Sequence, residues 1–379
     1  MNRTQTNIDK VSKPAATTTA NAPAASVPSA GKPAQSNKKK HKKIVFKPNK
    51  GGMMALLALI LIVAVVVTAI VFLTKGIINL VNEAKETTTG STTEDPGNNP
   101  GTLPWNNAYI NEQYANTNIP VGDLILVNFQ HEYGLTDTIT SKLTNLYGYE
   151  GHGTYYVIPG SETTFVRSTM LQSLTQMITG LVEANANTLG TTAESDRLYI
   201  TDAYRTTLQQ TDGNSKNPTR YPESAGFTEH HTGLAIDLKV MSKQATISLR
   251  DNEYAWLEAH CAEYGFVIRY DASKSTLTGI ADEPYHFRYV GIPHATYMTE
   301  RDLCLEEYLE LIRDSHKYDQ TPLEITAGEQ EYLVYYVEAN TAEGAIFTSI
   351  PVPPASEGTY TISGDNMNGF IVTVAKTVK

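Results

Sequence analysis

The stretch TEHHTGLAIDLKV, residues 228–240, opens with polar residues and closes as a strand in which apolar and polar side chains alternate around Asp237. That alternation predicts a β-strand over 234–240, with one face on a core and the other carrying Asp237. Upstream, RLYITDAYR (197–205) reads as a buried strand running into the same region. Downstream, HFRYVGI (286–292) reads as another strand, and DLILVNF (123–129) as a short one. Between them lie helical patterns. Met170, Leu171, Leu174, Met177, Ile178, Leu181 and Val182 fall at helical spacing within Ser168 to Ala184. EYAWLEAHCAEYGF (253–266) predicts an amphipathic helix stopped at Gly265, and RDLCLEEYLELIRDS (301–315) predicts a last helix. Strands and helices mix without a regular βαβ alternation, so the expected class is α+β with a mixed or antiparallel sheet rather than a doubly wound fold.

Beyond DQTP (319–322) the texture changes to short β-rich runs, LVYYVEA, AIFTSIPVP, TYTISG and GFIVTVAK. These predict a small β-rich domain over 319–379, distinct from a larger domain over 105–318. The N-terminal quarter differs again. Residues 1–52 hold eleven Lys and Arg against Asp9 alone, a charge of +10 in a chain whose total is −10, so the remainder carries −20. Poor in core-forming residues, this head is expected to be disordered. It precedes MMALLALILIVAVVVTAIVFLT, Met53 to Thr74, an uncharged apolar run long enough to span a bilayer core of roughly 30 Å. A single transmembrane helix over 53–75 is the expectation. The head is too long and the apolar run too extended for a cleaved signal peptide. The lysines of KKKHKK (38–43) place the N-terminus in the cytoplasm and the rest outside. A basic run can also bind nucleic acid, but beside a membrane span the topological reading needs no nucleic-acid partner. A Ser/Thr/Gly/Pro-rich spacer over 76–104 then separates membrane from domain. Cys261 and Cys304 would both lie outside, where pairing is permitted and not required.

Histidine alone is a weak signal among nine. His230 and Asp237 stand seven residues apart, and a carboxylate inside an apolar strand is costly unless it is paired or holds a metal. A buried Asp capping a turn or pairing with an arginine is the plain alternative. Glu283 and His286, three apart at a strand entry, can turn towards one point. A catalytic zinc takes three protein ligands and leaves one position open. His230, Asp237 and His286 supply such a set, and Glu283 is left to act as a base. Arg205 follows the buried strand, where a fixed guanidinium can polarise an anionic group; by itself it reads equally as a surface arginine. His231 neighbours His230 and, in a strand, would point the other way. His131, His152, His260 and His316 lack metal-like spacing, and His294 is set aside with them.

Together these segments resemble the VanY-type D-alanyl-D-alanine carboxypeptidases of the LAS metallopeptidase group. The family's SxHxxGxAxD pattern reads here as Thr228, His230, Gly233, Ala235 and Asp237, its ExxH as Glu283 and His286, and its SxYR…Q as Ala203-Tyr204-Arg205 with Gln210. The resemblance runs over about 120–300 and includes GFVIRY (265–270) and HFRYVGIPHATYM (286–298). It implies Zn2+ on His230, Asp237 and His286, Glu283 as base, and Arg205 contacting substrate and stabilising the developing oxyanion. Thr228, Gln210 and Tyr285 match further positions of the substrate site. The implied reaction removes the terminal D-Ala of peptidoglycan stem peptides, a substrate found outside the membrane. An L,D-carboxypeptidase or endopeptidase would use the same zinc site, and a non-catalytic wall-binding protein could retain the fold. Thr228 stands for the usual Ser, Tyr285 for a frequent Trp, Asp271 for a common Pro, and Thr206-Thr207 for Ser-Tyr. None of these removes a ligand or the base.

Overall fold

The computed structural model describes residues 109–159, 163–190, 195–243 and 245–377. The basic head, the apolar run over 53–75 and the spacer over 76–104 lie outside them. Among the described residues no helix is long and apolar enough to cross a membrane.

The described chain opens on β1 (Ile110–Ala115), and a small antiparallel pair follows, β2 (Leu143–Asn145) with β3 (Phe165–Arg167). A 14-residue helix, Leu171–Ala184, leads to β4 (Arg197–Asp202) and β5 (Ala235–Met241). β6 (Thr246–Ile247), β7 (Phe266–Ile268) and β8 (His286–Tyr289) complete a sheet of order β4-β5-β8-β7, with β6 on the far end of β5. Every pairing in it is antiparallel. Two-residue alternation sorts its side chains. Leu198, Ile200, Ile236, Leu238, Val240, Phe266 and Phe287 form one core with Leu174, Met177, Ile178 and Leu181 of the helix. The opposite face is left for Asp237, His286 and Arg288. Gly180 lets the helix approach closely, because a Cβ there would stand 2.8 Å from both the Trp256 ring and the Tyr264 hydroxyl.

Four sequence expectations change in detail. DLILVNF is buried but is not a strand, because its backbone groups are taken by other partners. Leu126 N donates to Asp365 O, Leu124 N donates to Ser363 Oγ, and Arg288 Nη2 donates to the carbonyls of Asp123 and Ile125. EYAWLEAHCAEYGF runs as three short turns, 3-10 over Asn252–Ala255, α over Trp256–His260 and 3-10 over Cys261–Tyr264, before left-handed Gly265 ends it. The strand at 286 stops at Tyr289, and helix Ile292–Glu300 starts with Pro293 in its first turn. The last helix covers Leu305–Ser315, its first turn closed where Cys304 N donates to Glu307 Oε2 at 2.9 Å.

The β-rich tail comprises β9 (Leu323–Ala327), β10 (Gln330–Glu338), β11 (Phe347–Val352), β12 (Gly358–Gly364) and β13 (Gly369–Lys376). Four of these form an antiparallel sheet of order β12-β13-β10-β9, while β11 pairs with β1 at the other end of the described chain. Leu323, Ile325, Val334, Tyr336 and Ile371 share a core with Leu124, Leu126, Met298, Leu305, Leu309 and Ile312. The described residues from 109 to 377 thus make one compact unit. The boundary at 319 marks a change of secondary structure: one face of the tail sheet shares this core, while Leu333, Tyr335, Val337, Phe370, Val372 and Val374 form a further core with Ile350 and Val352.

Candidate metal centre and its surroundings

Asp237 and His286 face each other directly across β5 and β8, so strand register alone sets them side by side. Their Oδ1 and Nδ1 atoms are 3.0 Å apart. His230 comes from a different element, the 3-10 turn Glu229–Thr232. That turn ends on Gly233, whose φ of +69° reverses the chain into β5 and brings His230 Nε2 to 3.4 Å from Asp237 Oδ1. Bonds of about 2.0–2.1 Å to a tetrahedral zinc put neighbouring donors about 3.3 Å apart, so this spacing fits. Among the described residues, His230, Asp237 and His286 are the group of three able to hold a metal ion.

Both imidazoles turn one ring nitrogen to that point. His230 Nδ1 lies 2.7 Å from Ala203 O, a carbonyl that can only accept, so Nδ1 carries the proton and Nε2 is bare. His286 uses Nε2 on Glu229 Oε2 at 3.3 Å, which leaves Nδ1 for the metal. The field favours positive charge. Burial by itself would lower the His286 pKa, yet hydrogen bonds to Asp237 and Glu229 raise it to about 10. Burial works against the ionised Asp237 carboxyl as well, and His230 and His286 overcome it to hold the pKa well below the usual range.

Glu229 was not singled out from sequence. It is fully buried between Arg288 Nη1 at 2.6 Å and Arg269 Nε at 3.2 Å. These guanidiniums, with His286, outweigh burial and keep it ionised. Arg269 also forks onto Glu306, at 2.7 and 3.0 Å. The only sequence signal was a glutamate within an otherwise buried run.

Glu283 sits in the turn entering β8, where Glu283 N donates to Tyr270 O and His286 N to Glu283 O. Burial raises its pKa, and the nearby charges of Glu223 and Asp237 raise it further against the opposing pull of His286. A carboxylate made more basic beside a metal site is suited to take up a proton. Tyr285, which is partly exposed, hydrogen-bonds to that carboxylate.

Arg205 is buried beside the site. Its backbone N donates to His230 O, its Nη1 donates to Gln210 Oε1, and its Nε lies 3.5 Å from Asp202 Oδ2. Gln210 is fully buried and uses its Nε2 on Glu223 O at 2.7 Å. Both ends of that amide are engaged, so Gln210 positions Arg205. Thr228 is buried, and among the described residues its Oγ1 has no hydrogen-bond partner. An unpaired buried hydroxyl is a place where a ligand group can be received.

The remaining histidines lie elsewhere. His231 belongs to the same 3-10 turn as His230 rather than to a strand, and its Nδ1 bonds to Arg205 O at 2.8 Å. His294 joins Tyr308 and Thr373 in the second core. Cys261 and Cys304 are both free and buried, and burial lifts each thiol to about 12.

Comparison with known proteins agrees with this geometry. Residues 167–292 match the family described as VanY, D-alanyl-D-alanine carboxypeptidase. The chain is 28% identical over 253 residues to a D-alanyl-D-alanine carboxypeptidase of Enterococcus faecium, covering 67% of this chain and 75% of that one. It is 44% identical over 89 residues to the bifunctional D-Ala-D-Ala dipeptidase and carboxypeptidase VanXYC of Enterococcus gallinarum, covering 22% and 46%. The crystal structure of the D,D-dipeptidase VanXYg with a D-Ala-D-Ala phosphinate analogue superposes with a TM-score of 0.54 at 25% identity, covering 71% of this chain and 99% of that one.

Proposed function

Residues 167–292 match the model of the VanY family of D-alanyl-D-alanine carboxypeptidases, and from that premise we propose that this chain is a zinc-dependent enzyme trimming the terminal D-Ala from peptidoglycan stem peptides. The observation that carries the reading is the His230–Asp237–His286 triangle, whose two imidazoles are each tied at one ring nitrogen and turn the other to one point.

When bound there, zinc supplies Lewis-acid polarisation of the scissile carbonyl and makes water more acidic. The chain's own residues do the rest. Glu283 takes a proton from the attacking water and returns it to the leaving amine as the C–N bond breaks. Tyr285 steadies the Glu283 carboxylate through its hydrogen bond. Arg205, held by Gln210 and Asp202, offers a fixed cation to the carbonyl oxygen as charge gathers on it. His230, Asp237 and His286 stay in place because their outer atoms are tied to Ala203 and Glu229 or paired across the sheet.

The test is hydrolysis of defined penta- and tetrapeptide stems with and without chelator, alongside Glu283→Ala. The variant should retain metal while losing turnover by about 10²–10⁴-fold. A wild-type protein that binds no metal, or an equally active Glu283→Ala, sinks the reading. Release of D-Ala from the pentapeptide alone identifies the D,D activity.

For localisation, we propose that the apolar run over 53–75 anchors the chain with its N-terminus cytoplasmic and the catalytic unit outside. The lysine cluster before the run and the extracellular substrate support this. On intact cells, external protease should remove a C-terminal epitope; its protection would overturn the topology.

A further inference from the structure

A carboxypeptidase must recognise a free carboxylate one residue beyond the bond it cuts, roughly 3.5 Å along the chain. The other cations at this site have partners of their own. Arg205 is held by Asp202 and Gln210. Arg269 and Arg288 are buried on Glu229. Lys216 on the neighbouring helix Thr207–Lys216 pairs with Asp212 at 2.6 Å. Arg220 is different. It is exposed, and among the described residues it makes no ion pair.

Its position is nevertheless defined. The Arg220 guanidinium lies 5.6 Å from the centre of the Tyr221 ring, and its Nε donates to the Tyr221 hydroxyl at 3.3 Å. The same ring carries Arg205 at 4.9 Å. One aromatic ring therefore spaces two guanidiniums, one buried and one open to solvent. The loop that bears them is pinned. Asn214 Nδ2 donates to Tyr221 O at 2.8 Å, Gln210 Nε2 to Glu223 O, and Tyr221 N to Asn217 O at 3.1 Å. Gly213 leaves room for the ring, since a Cβ there would stand 2.9 Å from it. Arg220 also feels the site's charges. Burial acts to lower its pKa, but the Tyr221 hydroxyl, Asp202 and Asp237 more than offset that and raise it. Asp202 and Asp237 are themselves turned to Arg205 and to the two histidines, so they do not occupy Arg220.

We propose that Arg220 binds the terminal carboxylate of the peptide and is the residue that makes this site select for a free C-terminus. The pair then divides the work, with Arg205 at the scissile carbonyl oxygen and Arg220 at the carboxylate beyond it. This assignment rests on the carboxypeptidase reading above and deepens it, because an endopeptidase has no use for such an anchor.

The experiment uses the zinc-loaded full chain and an acetylated peptide ending in D-Ala-D-Ala, as the free acid and as the C-terminal amide. For the free acid, Arg220→Ala should raise KM about 10- to 100-fold, the size of a lost charge-assisted hydrogen bond, with kcat changed less than about threefold. The amide, measured as a competitive inhibitor, should bind the variant and the wild type equally, and Arg220→Lys should recover part of the loss. Unchanged KM in Arg220→Ala, or equal weakening of acid and amide, overturns the assignment while leaving the carboxypeptidase intact. A wild-type chain that does not hydrolyse the free acid overturns the carboxypeptidase reading itself, and this assignment with it.

Discussion

Glu229 holds a full charge where its side chain has no access to water, and the reason lies in what surrounds it. Two arginines and an imidazole N–H satisfy its oxygens. Removing one partner from such a cluster leaves the others uncompensated, which costs far more than the pair contributes. Its hydrogen bond to His286 Nε2 also decides which nitrogen faces the metal. We expect Glu229→Ala to weaken zinc binding by about 10–100-fold, read by competition with a chromogenic chelator, and Glu229→Gln to lose less because its amide oxygen still accepts. Equal zinc affinity in wild type and Glu229→Ala would show that His286 orients itself. At this scale the sequence was informative about ligands and poor about their supports. His230, Asp237 and His286 are candidates by residue type and spacing that the family resemblance joins, whereas Glu229 acquires its role only from Arg269, Arg288 and His286, all at least 40 positions away.

Among the elements, the turn from Glu229 to Gly233 has the most demanding geometry. It must end within four residues, reverse into β5 and leave His230 over Asp237. Left-handed Gly233 meets that demand, and a Cβ there would stand 2.8 Å from the Leu143 side chain and 3.2 Å from Arg167 N. Gly233→Ala should therefore destabilise the protein by about 1–3 kcal/mol in urea unfolding and lower zinc affinity as His230 shifts. An unchanged midpoint would mean that β2 and β3 yield at no cost. Strand identity was legible for β4, β5 and β8, where alternation is clean. It misled at DLILVNF, because burial makes a run apolar whether its backbone joins a ladder or is held by Arg288, Ser363 and Asp365. Helix 292–300 went unread since a glycine and a proline, Gly291 and Pro293, interrupt the pattern where it begins.

Away from the metal centre and Glu229, two buried groups make the whole molecule sensitive to acid. Burial pushes His294 down to about 3 from an ordinary 6.5, so it stays neutral when folded. A depressed folded pKa contributes stability that is complete above 6.5 and is lost as pH falls towards 3, amounting to about 2 kcal/mol by pH 5. Glu306 opposes burial through Arg269 and is lowered to about 2 from 4.5, so its share is complete above 4.5 and erodes between 4.5 and 2. Urea midpoints should decline from about pH 6.5 downward in the wild type, and only from about pH 4.5 in His294→Gln. Identical profiles would place the sensitivity elsewhere. His294 contacts Tyr308 and Thr373, and so ties the helices after the metal centre to β13. That link is one reason the tail shares a core with the rest.

By itself the sequence determined which residues are candidates for chemistry, three for a metal, a glutamate for a base and an arginine, and strands of the right alternation, because residue type and local period are properties of short stretches. Only the tertiary structure decided which distant groups meet. The Asp237–His286 pairing across two strands, the Glu229 cluster beneath it, and the tail sharing a core with 124–126 and 305–312 are all contacts between segments far apart in the chain. Such contacts follow from how buried faces close on one another, and a local pattern carries no record of its partner.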